Sequence, residues 1–195
     1  LVNANQGPRA RNDLLTAPGW DAPATNPPWG RIQPLQNDLD PDNDRLAIRE
    51  WTQPASGNGT SNCYFDFTIW WCEYLPLPGN TEPDSFTYTI DDLNGGTSTA
   101  TIKVNVTPNR APQAFPDVVM AHGSAVEPLD LLTNDTDPDG NRLSVVSNTD
   151  IPPAQGSVLC NVGGCTYTPP AGYDGPYPLR TDPFDYSVAD GRGGR

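Results

Sequence analysis

From Thr97 to Val106 the chain alternates: Ala100, Ile102, Val104 and Val106 are apolar, with Thr101, Lys103 and Asn105 between them. A period of two puts every second side chain on one face, so this segment predicts a strand half in a core and half in water. Trp29 to Leu35, Arg45 to Trp51, Ser85 to Ile90, Arg142 to Val146, Ser157 to Leu159 and Phe184 to Val188 are shorter strand candidates. Gly, Pro, Asn and Asp clusters separate them at the spacing of a β-sandwich, and no stretch carries a convincing helical period.

The punctuation itself repeats. Asn37-Asp38-Leu39-Asp40-Pro41-Asp42-Asn43-Asp44-Arg45-Leu46 returns as Asn134-Asp135-Thr136-Asp137-Pro138-Asp139-Gly140-Asn141-Arg142-Leu143, a shift of 134 − 37 = 97 residues. Cys63 to Cys160 keeps that step, and Phe86-Thr87-Tyr88 with Gly95-Gly96 returns one residue later as Phe184-Asp185-Tyr186 with Gly193-Gly194. A period of this length is one domain used in tandem. The predicted architecture is therefore all-β, with two tandem sandwich domains, 1–108 and 109–195. They join at Thr107-Pro108-Asn109-Arg110-Ala111-Pro112, where the prolines hold a short link extended.

After Gly95-Gly96 the first repeat supplies the strand Thr97 to Val106, whereas only Arg195 follows Gly193-Gly194. The second domain is thus expected to lack its final strand, which would expose core and ladder alike. Two expectations follow. The parent polypeptide continues and supplies the strand, with Leu1 to Ala4 the remnant of an earlier repeat, or an identical subunit adds a strand and builds a filament.

Composition narrows the function classes. With 23 Pro, 18 Gly and 35% hydrophobic residues among 195, the chain is turn-rich but has enough apolar content for two small cores. A net charge of −13 repels nucleic acid and anionic membrane surfaces, and no run of about 20 apolar residues would span a bilayer. The four cysteines form two local pairs, Cys63 with Cys72 and Cys160 with Cys165, read as two disulfides. Such bridges point to an oxidising setting, outside the cell or on its surface. Zinc would need four ligands in reach, but each repeat has one pair and the chain has a single histidine, His122.

The acidic loops have a chemistry of their own. Calcium takes six to eight oxygens at about 2.3 to 2.6 Å, and alternate acidic or amide positions on a tight turn can converge on one ion. Asp40, Asp42 and Asp44 have that spacing, as do Asp137, Asp139 and Asn141, with Asp38 and Asp135 just upstream. The loops are not EF-hands, because Arg45 and Arg142 stand where the glycine belongs. The alternative is that Asp and Asn only cap their own turns.

An Asn-x-x-Pro opening, the Asn-Asp-x-Asp-Pro-Asp loop, a Phe-x-Tyr-x-aliphatic strand and an Asp-x-x-Gly-Gly turn occur in both halves. Together they resemble the bacterial cadherin-like and immunoglobulin-like tandem repeats of large secreted adhesins and surface proteins. The resemblance implies Ig-like or cadherin-like sandwiches, often calcium-stiffened, that act as spacers or presenters of adhesive domains. It also implies Asp13, Asp92, Asp117 and Asp190 as the remaining ligands of a calcium cofactor.

The first repeat departs from the second between its cysteines, where Tyr64-Phe65-Asp66-Phe67-Thr68-Ile69-Trp70-Trp71 replaces Asn161-Val162-Gly163-Gly164. A small sandwich cannot bury both faces of so apolar a hairpin, so Tyr64, Phe65, Phe67, Trp70 and Trp71 are candidates for a contact surface. The partner would be a neighbouring repeat, an identical subunit or a cell-surface glycan. The competing reading is that these rings enlarge the core. Catalysis is the weakest class, since His122 sits in a turn-like stretch and no second histidine or free cysteine supplies a base for a nucleophile. The expected role is non-catalytic, structural and adhesive.

Overall fold

The computed structural model describes residues 4–21, 28–121, 125–147, 156–161, 164–172 and 182–194. It divides into two units, Leu1–Asn109 and Arg110–Arg195.

The first unit is a sandwich of a four-stranded and a three-stranded sheet. Strands β1 (Asp13–Pro18), β7 (Thr97–Thr107), β6 (Asp84–Asp91) and β3 (Ala47–Trp51) lie side by side in that order. The other sheet runs β2 (Gly30–Ile32), β5 (Trp70–Pro76), β4 (Gly59–Phe65). β7 is central: it pairs antiparallel with β6, Phe86 opposite Ile102, and parallel with β1, Leu15 opposite Val104. Its alternation delivers what the sequence predicts, because Ala100, Ile102, Val104 and Val106 are all buried, against Phe86, Tyr88 and Ile90 of β6 and Leu15 and Ala17 of β1. Cys63 and Cys72 face each other across the β4–β5 ladder, and their disulfide lies in the same core.

The expected strand from Trp29 to Leu35 is shorter. β2 ends at Ile32, and Pro34–Gln36 form a single 3-10 turn, since Pro34 has no N–H to donate to a ladder. β1, β4 and β5 carry less regular patterns than β7, and their pairing comes from their partners.

The second unit repeats this plan with less strand. β8 (Glu127–Leu129), β11 (Gly164–Thr168) and β10 (Ser157–Asn161) form one sheet, and β9 (Ser144–Ser147) pairs with β12 (Ser187–Ala189) in the other. Phe184 and Tyr186, expected inside a strand, precede β12 and are half-buried against a core of Leu129, Leu131 and Cys165. The Cys160–Cys165 disulfide bridges β10 and β11 directly. Among the described residues β12 has a partner on one edge only.

Both units share one packing device. Tyr74 lies over Gly59, where an added Cβ would enter its ring, and Tyr167 lies over Gly156 in the same way. The hydroxyls reach Asp84 (2.8 Å) and Asp182 (2.7 Å), which ties each three-stranded sheet to the strand or segment that follows it. Gly59→Ala should therefore destabilise the first unit by about 1 to 3 kcal/mol through overpacking, lowering its midpoint by roughly 4 to 8 °C per kcal/mol. Thermal unfolding checks this, and an unchanged melting point would mean that Tyr74 is free to move aside.

Candidate cation site

Each acidic loop is organised by one aspartate. Asp40 Oδ1 accepts the backbone N–H groups of Asp42 (2.8 Å) and Asp44 (3.0 Å), and Asn43 takes the left-handed conformation that closes the turn. Asp137 Oδ1 accepts from Asp139 (2.8 Å) and Asn141 (3.0 Å), with Gly140 in the left-handed position. This is the Asx-turn chemistry by which short acidic side chains shape loops. It consumes one oxygen and leaves the other. Asp40 Oδ2 and Asp137 Oδ2 are buried with no hydrogen-bond partner.

The Gly-Gly turn does the same from the far side. Asp92 Oδ1 accepts N–H from Asn94 and Gly96, both at 2.8 Å, and Asp190 Oδ1 accepts from Arg192 (2.7 Å) and Gly194 (3.0 Å). Gly96 and Gly194 must be glycine here, because a Cβ at either would collide with the aspartate it caps. Asp92 is 1% exposed, and the Asn5 amide donating to its Oδ2 at 2.8 Å is the main cause that holds its carboxyl below the ordinary range.

Strands β3 and β6 are paired, and their ends bring the two loops together. One carboxylate oxygen from each of Asp40, Asp44 and Asp92 lies within 4.8 Å of the others. That separation fits inside a calcium coordination sphere, whose opposite oxygens are roughly 5 Å apart. A buried oxygen without a donor costs free energy, and a cation relieves it without disturbing the turn that the other oxygen holds. The donor set is all oxygen, which suits a hard divalent cation. Asn141, in the place of Asp44, has a buried amide nitrogen without a partner, and turning the amide over would present its oxygen instead.

The remaining predicted ligands lie elsewhere. Asp42 clamps the start of its repeat, accepting from the Gln6 backbone N–H at 2.6 Å, and Asp139 does the same for Arg110 at 2.7 Å with an added ion pair at 2.8 Å. The Arg110 N–H leads the contacts that pull Asp139 below the usual carboxylate range. Asp13 and Asp38 converge on the buried Tyr88 hydroxyl, at 2.9 Å and 3.0 Å, while Asp38 also accepts the Arg11 N–H at 2.7 Å. Burial pushes Asp38 up to about 6 and raises Asp13, and burial also raises Tyr88. Asp117 and Asp135 repeat the arrangement around Tyr186, at 2.7 Å and 3.4 Å. The acidic set thus separates into a carboxylate cluster of Asp40, Asp44 and Asp92 and a tyrosine-bonded cluster. Sequence reasoning passed over Asn5, Asn94 and Tyr88, although the recurring Phe-x-Tyr was the available signal for the last.

The aromatic hairpin is held by Asp66. Its Oδ1 accepts from the Thr68 N–H (3.0 Å), the Thr68 hydroxyl (2.6 Å) and the Ile69 N–H (2.9 Å), and its Oδ2 accepts the Trp71 indole N–H (2.9 Å). These contacts, the Thr68 hydroxyl first, drive its carboxyl far below the usual range. They set Phe67 in a left-handed conformation at the tip, 95% exposed. Phe65 is stacked obliquely on Trp70 and capped by the Arg45 guanidinium, 5.6 Å from its ring centre. Trp70 packs on the core, Trp71 is half-buried and Tyr64 donates to Glu73, so the freely presented ring is Phe67 rather than a tryptophan. His122 lies outside the described residues.

The sequence family described as bacterial Ig domain matches residues 5–105 and again residues 109–195. No curated protein matches the sequence. Among solved structures, a point variant of the endo-fucoidan hydrolase MfFcnA4 from glycoside hydrolase family 107 is similar over 97% of this chain and 29% of its own, at 15% identity and a TM-score of 0.43. The human desmocollin-1 ectodomain is similar over 97% of this chain and 39% of its own, at 12% identity and a TM-score of 0.28. The N-terminal Ig1-2 module of the Drosophila receptor protein tyrosine phosphatase DLAR covers 96% of this chain and 93% of its own, at 10% identity and a TM-score of 0.27. The chain therefore spans about a third of the length of the first of these structures.

Removing the tyrosine hydroxyl tests the second acidic cluster. Tyr88→Phe should cost the first unit about 1 to 3 kcal/mol, because the buried Asp38 and the half-buried Asp13 lose their shared donor. Chemical denaturation measures this loss. A neutral substitution would show that the two carboxyls satisfy each other.

Proposed function

We infer that this chain, which belongs to the bacterial Ig domain family through both of its halves, is a non-catalytic structural and adhesive module of an extracellular or cell-surface repeat protein. No described helix is long and apolar enough to cross a membrane, and both disulfides suit an oxidising setting. The module is stiffened by calcium at the junction of the acidic loop and the Gly-Gly turn. The buried, unpartnered Oδ2 of Asp40 carries this reading, supported by the same orphaned atom on Asp137 and by the carboxylates of Asp44 and Asp92 close to that of Asp40. A cation there would tie the end of β6 to the loop that leads into β3, cross-linking the loops at one end of the sandwich.

Calcium should raise the melting temperature and a chelator should lower it. Modules of this kind bind at about 0.1 to 1 mM, and a hundredfold excess over Kd adds roughly 2.7 kcal/mol. Asp40→Asn is the discriminating variant, because its amide oxygen still accepts the two N–H groups of the turn while the free oxygen is gone. It should fold as well as the parent without calcium and lose the calcium response of the first unit. An equal calcium shift in variant and parent would leave the loop with turn chemistry alone.

A second reading, that the hairpin is a contact surface, is supported by Phe67, whose exposure is built in rather than incidental. An apolar ring held out by four hydrogen bonds to one carboxylate is preorganised, which lowers the ordering cost of binding. Phe67→Ser should weaken association with a neighbouring repeat or subunit while leaving melting within about 0.5 kcal/mol of the parent. Sedimentation and melting read the two separately, and a large loss of stability would return the ring to a folding role.

A further inference from the structure

Two Asn-Gly steps occur in the chain, Asn58-Gly59 and Asn94-Gly95. Such a step has its own chemistry, because the backbone nitrogen of the following residue can attack the side-chain carbonyl carbon of asparagine. Glycine permits this most readily, having no Cβ in the way and a wide choice of backbone angles. The fold treats the two steps differently. Asn58 is half-buried and its carbonyl accepts the Leu77 N–H at 2.8 Å, while Gly59 lies in β4, opposite Pro76 of β5 and packed under Tyr74. Asn94 and Gly95 are both exposed in the turn between β6 and β7. Gly95 has a φ of 100°, and nothing lies within 4 Å of the place a Cβ would take.

The neighbours of Asn94 make its step consequential. Its side-chain N–H donates to Asp44 Oδ2 at 2.8 Å, and Asp44 is one of the three residues whose carboxylate oxygens gather within 4.8 Å. Its backbone N–H is one of the two that Asp92 Oδ1 accepts. The amide thus works as a neutral donor beside an acidic cluster. Turned into a carboxylate, it would set a like charge and a second acceptor against Asp44, an arrangement that a proton or a cation relieves.

We propose that Asn94 is a site of spontaneous deamidation, and that the product adds a fourth carboxylate to the cluster of Asp40, Asp44 and Asp92. The Gly95 nitrogen gives up its proton to water and bonds to Asn94 Cγ, and the Cγ–Nδ2 bond breaks. The side-chain nitrogen takes a proton from water and leaves as ammonia, and a five-membered succinimide remains. Water then opens that ring at either carbonyl, leaving aspartate or, with the chain running through the side chain, isoaspartate. Water is the co-reactant throughout, and nothing is oxidised or reduced. The effect on cation binding rests on the calcium reading of the cluster, whereas the reactivity of Asn94 does not. Calcium affinity follows the charge of the oxygen ligands, so the aspartate product makes a tighter site and a less stable calcium-free turn.

The test ages the intact chain in mildly alkaline, calcium-free buffer and maps it by peptide mass. Asn94 should convert at least about tenfold faster than Asn58, whose glycine must leave the β4–β5 ladder to react. Asn94→Gln, with a side chain one methylene too long for the five-membered ring, should keep its mass at that position. Calcium titrations of the melting temperature then compare the parent with Asn94→Asp and with the aspartate fraction of the aged parent. Both should melt lower than the parent without calcium and bind calcium about tenfold more tightly. Equal conversion at the two steps, or none at Asn94, overturns the proposal. Conversion that leaves calcium affinity unchanged overturns its second half. A parent chain that ignores calcium removes the calcium reading and that second half with it, while the peptide map still decides the reactivity of Asn94.

Discussion

Each domain is built around a tyrosine hydroxyl that must be satisfied inside a sandwich. Tyr88 is fully buried, and five oxygens lie within reach of its hydroxyl: one from Arg11, one from Asp13, one from Pro34 and two from Asp38. One hydroxyl proton cannot serve five acceptors. Burial therefore favours a proton on a carboxyl, and Asp38 is the group pushed up to about 6. The cluster pins three separate parts of the chain to one point: the entry to β1, the turn after β2, and β6. It is also why the acidic loop starts where it does, since Asp38 is held in the core and Asp40 is the first residue free to shape the turn.

That placement explains how one acidic loop performs two kinds of chemistry. Asp38 faces inward and works as a buried acceptor. Asp40, two residues on, uses one oxygen on its own backbone, and its carboxylate lies beside those of Asp44 and Asp92. Asp42 turns outward to the start of the repeat. The spacing of two that reads as a set of calcium ligands is also the spacing at which a turn sends successive carboxylates to different tasks. The orphaned oxygen, which is a property of packing, sets Asp40 apart from the other carboxylates of its loop.

Much of this was legible in the sequence, and the exceptions have physical causes. β7 was legible because one face is buried and the other wet along its whole length, so its alternation is uninterrupted. The 97-residue repeat was legible because it rests on turn residues, Asp-Pro-Asp and Gly-Gly, whose geometry only a few side chains accept. Trp29 to Leu35 was over-read because its apolar residues serve a short strand and then a turn, which a periodicity cannot tell apart. The division of the acidic residues was not legible, because a carboxylate facing a buried tyrosine and one facing other carboxylates look alike in one dimension. Which ring of the hairpin is presented was not legible either, because Asp66 sets the turn that sends Phe67 outward and holds the Trp71 indole.

The contrast between the domains bears on how such a sandwich holds together. Both keep the tyrosine tie, the Asp-capped turns, the tyrosine over glycine and a disulfide hairpin. These are local devices, each joining segments through one or two hydrogen bonds or a covalent bridge, and they persist in the second domain where β12 has one partner among the described residues. What the second domain does not share is burial of the residues flanking the tie, from Val119 on one side to Phe184 on the other. Hydrogen bonds of this kind contribute about 1 kcal/mol each when water can compete, whereas burying a Val or Phe side chain contributes roughly 1.5 to 3 kcal/mol. The polar ties therefore fix the register of each domain, and the central strand supplies most of the apolar stabilisation while keeping water from the Tyr88 cluster. In the first domain, the strand that completes the sheet also pairs with β1, where Asp13 of the tyrosine cluster lies.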